Sequence, residues 1–318
     1  MRPFRFGLQA ARSHDPAAWL ALAKRVERDG YSSLLIPDHV RRPSTFPTLM
    51  AAAAVTERLT MGTYVLNQDF RPPAVLAHEA AAVQLYTNGR LELGIGAGWA
   101  KQEYEQTGIP FEAAGPRIKR FEEYLTIVKG ILAAREPYSF AGKSYTLHEY
   151  PPLPYLEYQS PPPILVGGGS KNVLSIAGRH ADRISVATRA TPDGFIDATN
   201  ITGEAVAQKL HWIQEAAGDR YEQIELNVTV REVRITEVRR DAARAILSDW
   251  RAPGSMMGRA AEITEDDVLG SPYMALGTVD QIVEQMQSAR EQWGFSYIQV
   301  DGRDLDTFAP ILERLVGK

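Results

Sequence analysis

The chain has 318 residues, 44% of them hydrophobic and 23% charged, a balance that lets a polypeptide of this length bury a substantial core. A formal net charge of −4 argues against a nucleic-acid binder, which would carry a basic excess on one face. The absence of cysteine excludes disulfides, thiolate nucleophiles and Cys-containing metal sites, and fits a reducing compartment. The segment from Met1 to Leu8 holds no uninterrupted apolar stretch of signal-peptide length. The strongest apolar cluster, residues 49–55, is Ala-rich and ends at Glu57-Arg58. It falls short of the roughly 20 apolar residues that a membrane span needs, so a buried helix is expected there. The expectation is a cytoplasmic protein with neither nucleic acid nor membrane as a partner.

Short β-branched apolar runs alternate with longer segments of helical spacing. The strand-like runs cover residues 4–10, 33–37, 59–67, 91–97, 164–167, 183–187, 224–233 and 297–301. Asp15-Pro16 opens the first helix as an N-cap followed by an N1 proline, and Gly30 closes it. Further helices are predicted over residues 72–86, 116–134, 171–178, 204–217, 279–292 and 306–316. This alternation implies parallel strands with crossover helices, because parallel neighbours cannot be joined by a tight turn. Eight strand candidates match a closed (β/α)8 TIM barrel, an α/β fold, spanning residues 1–318 as a single domain. The alternative is an open, doubly wound sheet. Two regions exceed what a barrel needs: residues 99–163 after strand four and 248–272 after strand seven. The first contains a helix, a hairpin turning at Ala141-Gly142 and a proline-laden stretch; the second contains Pro253-Gly254-Ser255 and an acidic run. Both are read as lids in βα loops, at the end of a barrel where active sites are built.

Four constellations fall at strand ends. Ile36-Pro37-Asp38-His39 sets a carboxylate beside an imidazole after strand two. Asp38 can accept hydrogen bonds from a ligand and His39 can move protons near neutral pH. Equally, Asp38 can cap a turn and His39 can pack under a loop. Tyr64-Val65-Leu66-Asn67 ends strand three with a polar residue facing the mouth; alone it reads as an ordinary strand-to-helix connection. Leu93-Gly94-Ile95-Gly96-Ala97-Gly98-Trp99 ends strand four. Its alternating glycines let backbone approach a flat ligand or let the barrel interior pack tightly. It is not the dinucleotide fingerprint, because Trp99 stands where the last glycine belongs. Trp99 can stack on a ring or close the core, and its position directly after the glycines favours the ligand. Gly167-Gly168-Gly169-Ser170 runs from strand five into the helix at Lys171. That arrangement makes a nest of backbone N–H groups at a helix N-terminus, favouring phosphate. Glu103 and Glu105 follow Trp99 and either reach the mouth or lie on a solvated helix face, the second reading being favoured, and Gly277-Thr278 reads as a second anion site or a cap. His14, His78, His148, His180 and His211 form no spaced metal set, and no metal is assigned.

As an ordered series, Asp38-His39, Gly94 to Trp99 and Gly167 to Ser170 resemble the bacterial luciferase-like superfamily. Within it the chain is most similar to the coenzyme F420-dependent oxidoreductases. The resemblance extends over nearly the whole chain, including the run from Ala177 to Arg183 and the closing Leu276-Gly277-Thr278. It implies a barrel that holds a deazaflavin or isoalloxazine ring at its C-terminal mouth. By that resemblance Asp38 contacts the polar edge of the ring, Asn67 hydrogen-bonds the ring or its side chain, and Tyr64-Val65 form a bulge with a non-proline cis peptide that props the ring. Gly96, Ala97 and Gly98 line the cavity, Gly167, Gly168, Gly169 and Ser170 hold the phosphate, and His39 is the acid-base residue. One departure is informative. The F420-dependent sugar-phosphate dehydrogenases carry a proton-donating acid directly after the strand-four glycines, where this chain has Trp99 in the substrate pocket. That implies a more apolar organic substrate. The expected activity is hydride transfer between F420 and a small organic substrate, reducing a C=C or C=N bond. The alternatives are an FMN-dependent luciferase-like monooxygenase and a non-catalytic flavin-binding barrel. An unrelated phosphate-binding isomerase or aldolase would need a Lys or Glu at a strand end, and none stands out. The resemblance also implies a homodimer.

Overall fold

The computed structural model describes residues 1–10, 15–157, 160–191 and 194–318; His14 lies outside them. Its frame is eight parallel strands: β1 (Arg5–Gln9), β2 (Ser33–Ile36), β3 (Thr60–Thr63), β4 (Leu91–Gly96), β5 (Ile164–Gly168), β6 (Arg183–Val186), β7 (Glu225–Val230) and β8 (Phe295–Asp301). Each pairs with the next in chain order. The pairing of β1 with β8, with Arg5 opposite Tyr297, closes the ring. The (β/α)8 barrel therefore stands and the open sheet does not.

Helices α1 (Pro16–Arg28), α2 (Thr45–Ala53) and α3 (Pro73–Tyr86) follow β1, β2 and β3, while α4 (Lys101–Thr107) and α5 (Ala114–Ala133) follow β4. Next come α6 (Lys171–His180) after β5, α7 (Gly203–Ala217) after β6, then α8 (Arg239–Arg251), α9 (Glu265–Leu269) and α10 (Val279–Trp293) after β7, and α11 (Leu305–Leu315) after β8. The start of α1 obeys its local signals: Asp15 accepts from the Ala17 N–H, Pro16 is the first helical residue, and Gly30 takes φ +95° beyond the end. Among the described residues no helix is long and apolar enough to cross a membrane; of residues 49–55, Leu49, Ala52 and Ala53 lie on the buried face of α2, and Ala54 and Val55 follow its end.

Inside the barrel, small residues make room for large ones. A Cβ on Gly7 would lie 3.0 Å from both Leu35 and Tyr297, and one on Gly62 would overlap Leu35. Leu35, Leu165 and Tyr297 fill this level, with Tyr64 and Val65 packed against them. Below them, at the strand starts, Glu92 is fully buried between Arg5 and Arg183 and accepts from the Tyr297 hydroxyl at 3.0 Å. Glu225 pairs with the same two arginines at 2.7 and 2.9 Å. This polar plug seals the end of the barrel opposite the site.

The two long connections differ from their sequence reading. In residues 99–163, α5 is a barrel helix that buries Phe121, Tyr124, Leu125, Val128 and Ile131. The hairpin Tyr138–Ala141 with Thr146–Tyr150 folds back along α5: a Cβ on Gly130 would meet the Tyr138 ring, and Glu123 accepts from the Lys143 and Ser144 N–H groups. What this region brings to the mouth is α4. Around the second region, α8, which overlaps it only at residues 248–251, and the strand Met274–Gly277 beyond its end were not foreseen. Met274–Gly277 pairs in parallel with Glu232–Ile235, so the predicted strand 224–233 divides between β7 and this separate two-stranded sheet. The apolar spacing Ala243, Ile246, Leu247, Trp250 was a legible helical signal for α8. Met257–Gly258 pairs with Ile196–Asp197 from the loop after β6, joining two connections at the mouth. Gly277-Thr278 resolves to a cap: the Thr278 hydroxyl accepts from Gln281 N–H and the Gln281 side chain accepts from Thr278 N–H.

Candidate active site

All four sequence-predicted constellations come together at the C-terminal ends of β2 to β5. His39 follows β2, and its Nδ1 lies 2.8 Å from Glu103 Oε1 on α4. The ionised carboxylate can only accept, so Nδ1 donates and the lone pair resides on Nε2. The Glu103 side chain is only 16% exposed, so it is not the solvated helix face that its sequence suggested. Nothing in the local pattern could reveal a partner 64 positions from His39.

Asp38 accepts from three donors: the Thr45 hydroxyl at 3.0 Å, the Asn67 backbone N–H at 3.2 Å and Arg71 Nη1 at 2.9 Å. It therefore ties β2 to the segment after β3, and Arg71 is a site-organising residue that the sequence reading missed. Asn67 is buried to 9% exposure. Its Oδ1 accepts from the Asp69 N–H and from the Tyr104 hydroxyl at 3.1 Å each, which leaves its NH2 group as the side of the amide suited to a ligand. The Tyr104 hydroxyl also reaches Asp69 Oδ2 at 2.8 Å. Gly98, at φ +73°, allows this junction, because a Cβ there would overlap the Tyr104 hydroxyl and approach Asn67 Oδ1 to 2.6 Å. Through Glu103 and Tyr104, α4 is fastened to the ends of β2 and β3.

The Tyr64-Val65 peptide is cis, and it interrupts β3 before the two-residue continuation Leu66–Asn67. Tyr64 turns into the barrel, where its hydroxyl meets Ser185 Oγ, Asn227 Oδ1 at 3.0 Å and Thr229 Oγ1 at 2.9 Å. Burial pushes the phenol up to about 12, so it stays protonated. Val65 packs against the glycines. A Cβ on Gly96 would come 2.6 Å from Val65 Cγ2, one on Gly167 would come 3.3 Å from Cγ1, and one on Gly94 would fall on the Thr63 carbonyl. The strand-four glycines are thus required first by the bulge of β3. Ala97 spends its carbonyl on Gln68 Nε2 at 3.2 Å and Arg117 Nε at 3.1 Å, and with Gly98 it is half-buried at the mouth.

Gly167 to Ser170 run from β5 into the first turn of α6. Ser170 is the N-cap residue, yet its side chain makes no capping hydrogen bond, so its hydroxyl and the first-turn N–H groups are available to an anion. Gly169 permits close approach to the segment after β6, since a Cβ would lie 2.7 Å from the Ala187 carbonyl oxygen. Trp99 is 47% exposed at the rim. Gly194 and Met256 adjoin it: a Cβ on Gly194 would lie 3.7 Å from the Trp99 ring and 3.4 Å from Met256 Cε. Phe195 and Met256 are also exposed, so three connections offer apolar surface there.

Among the described residues no group of three His, Asp or Glu side chains is placed to hold a metal. His180 pairs with Glu122 at 3.2 Å, and burial lowers its pKa; it lies at the end of α6, outside the site.

Residues 2–297 match the family model described as luciferase-like monooxygenase. An uncharacterised Mycobacterium tuberculosis protein is 32% identical over 185 residues, which are 51% of this chain and 62% of that protein. An F420-dependent glucose-6-phosphate dehydrogenase of Kineococcus radiotolerans is 32% identical over 57% of this chain and 56% of its own length. The chain thus matches less than two thirds of the length of these curated relatives. The coenzyme F420-dependent tetrahydromethanopterin reductase of Methanopyrus kandleri superposes with a TM-score of 0.74 at 17% identity, over 99% of this chain and 98% of that one.

Proposed function

Since the chain belongs to the luciferase-like monooxygenase family, its model matching residues 2–297, we propose that it is an F420-dependent oxidoreductase reducing a C=C or C=N bond of a small organic substrate. The observation that carries this reading is the His39–Glu103 pair, standing at the same mouth as the cis Tyr64-Val65 bulge and the glycine nest. The F420-dependent name of the Kineococcus relative supports it.

The residues fit the cofactor. Gly167 to Ser170 and the first turn of α6 would take its phosphate, with an uncommitted N-cap hydroxyl. The Tyr64-Val65 bulge would support the ring and the Asn67 NH2 group would meet its polar edge. Asp38 acts at one remove, fixing the Asn67 backbone and Arg71. Bound in its reduced form, the cofactor supplies the hydride. The protein supplies the proton: Glu103 orients His39 through Nδ1, and Nε2 delivers a proton to the substrate atom that does not receive hydride. Trp99, Phe195 and Met256, exposed at the rim, favour an apolar substrate body.

The test is separate titration of the purified chain with F420 and with FMN, followed by fluorescence and absorbance. Binding of F420 at about micromolar Kd or tighter, with FMN much weaker, is the expected result. Preference for FMN would move the chain to the oxygen-using branch, and binding of neither would overturn the site.

A further inference from the structure

At the ends of β1, β6, β7 and β8 the mouth holds a cavity of about 320 Å³ lined by Gln9, Thr188, Thr229, Arg231, Asp301 and Arg303, among others. Arg231 is the residue of interest. Arg231 is half-buried, and among the described residues its one side-chain hydrogen bond runs from Nη1 to Thr188 Oγ1 at 3.0 Å. No carboxylate among the described residues forms an ion pair with it. Other arginines without a carboxylate spend their N–H groups on carbonyls: Arg90 on those of Thr87, Leu59 and Ala53, and Arg117 on those of Ala97 and Glu112. Arg231 faces a cavity instead. Burial pulls its pKa below the ordinary arginine value, the signature of a cation that lacks a counter-ion.

The neighbouring charges define what would complete it. Arg303 donates to the Arg231 carbonyl at 2.6 Å, and its own charge is offset by Asp304 at 3.4 Å and Asp301 at 4.0 Å. The cavity therefore presents one uncompensated positive charge, with a carboxylate in its lining. A phosphate dianion would be repelled by Asp301 and under-neutralised by one guanidinium. A planar monoanion matches the fork of an arginine in both charge and shape. The cavity also adjoins the floor proposed for the ring, because Thr229, in its lining, is hydrogen-bonded at 2.9 Å to Tyr64, whose cis peptide forms the bulge.

We propose that Arg231, with Thr188, is the recognition site for a carboxylate carried by the substrate, so that the substrate class is a small unsaturated organic acid. The assignment of this anion to the substrate rests on the proposed function above. It departs from a phosphorylated sugar as substrate, and it accounts for a polar cavity at a mouth whose rim at Trp99 and Met256 is apolar.

Benzoate and benzamide, equal in size and different in charge, are the probes, titrated calorimetrically into the full chain without cofactor. Benzoate should bind at least about tenfold tighter; Arg231→Gln should abolish that preference and Arg231→Lys should retain part of it. The F420 dissociation constant should change less than about twofold in both variants. Equal or absent binding of the two probes, or a preference that survives Arg231→Gln, overturns the proposal. A loss of F420 affinity of about tenfold in Arg231→Gln would give the anion to the cofactor tail and overturn it as well. Should Arg231→Gln fail to fold, Thr188→Val replaces it and must weaken benzoate severalfold. If wild type binds neither F420 nor FMN, the proposed function falls, while the cofactor-free probe pair still decides this site.

Discussion

Two charged side chains, Glu103 and Lys209, show how position, not identity alone, sets chemistry. Glu103 is on an exposed-looking helix, yet it holds the Nδ1 proton of His39, which leaves Nε2 to exchange with a substrate. His39→Ala should lower kcat by about 10² to 10⁴, with F420 affinity retained; unchanged turnover would remove His39 from the mechanism. Glu103→Gln keeps the shape but loses the carboxylate that accepts the His39 Nδ1 proton, so it should lower kcat while F420 affinity is retained; unchanged kcat would remove Glu103 from the site. Lys209 is a second example. It is 2% exposed, and its Nζ donates to the Ala187 and Asn200 carbonyls at 3.0 Å each. Burial lowers its pKa from 10.5 to about 7. Between those two values the unfolded chain binds a proton that the folded chain does not, so stability should rise as pH increases through this window. Below about 7 both states are protonated and this dependence ends. Thermal melts of wild type and Lys209→Met from pH 6 to about 10 would check it: the rise should be shallower in the variant, and parallel curves would exclude the assignment.

Among the elements, β3 and β4 are the most constrained pair. Their close contact requires Gly94, since a Cβ there would fall on the Thr63 carbonyl, and Thr63 exchanges hydrogen bonds of 2.7 and 2.8 Å with Gly94 through its hydroxyl. Gly94→Ala should displace the bulge, weaken F420 binding and lower Tm. Gly115→Ala is the control, since its Cβ meets nothing within 4 Å and alanine favours a helix by up to about 1 kcal/mol. Equal Tm values for the two variants would contradict this account. The same pair shows what sequence reading could reach. Alternating glycines at the end of β4 were legible as a close-approach signal, but the approaching group is first of all the Val65 bulge. In the same way the hairpin of residues 138–150 was legible as a hairpin, whereas its place along α5 depends on Glu123, Gly130 and Tyr145. Helix α8 was missed although its apolar residues repeat at helical spacing, because charged residues dominate the segment.

The whole molecule separates stability from chemistry along the barrel axis. At the strand starts, Arg5, Arg183, Glu92 and Glu225 form a closed ring of ion pairs. Removing one member leaves buried charge uncompensated, so Glu92→Gln should cost about 3–5 kcal/mol of unfolding free energy, measured in urea, with F420 affinity little changed. A cost under about 1 kcal/mol would show the ring to be ordinary surface pairing. Burial opposes ionisation of Glu225, but the hydrogen bond from Arg5 and the charges of Arg5 and Arg183 hold its pKa below the usual carboxylate value. Its contribution is therefore complete above the unfolded pKa and is lost as pH falls through the folded one. What the chain alone determined was local: eight strands and most of the helices between them, a glycine nest before a helix, and Asp38-His39 at a strand end, because periodicity, caps and glycine runs act over a few residues. The tertiary structure decided the closure of β1 on β8, the choice of Glu103 as the partner of His39, the three-donor clamp on Asp38 and the solitary charge of Arg231. Each of these is a contact between residues distant in sequence, set by where the barrel places strand ends and loops, and no local pattern of residues encodes it.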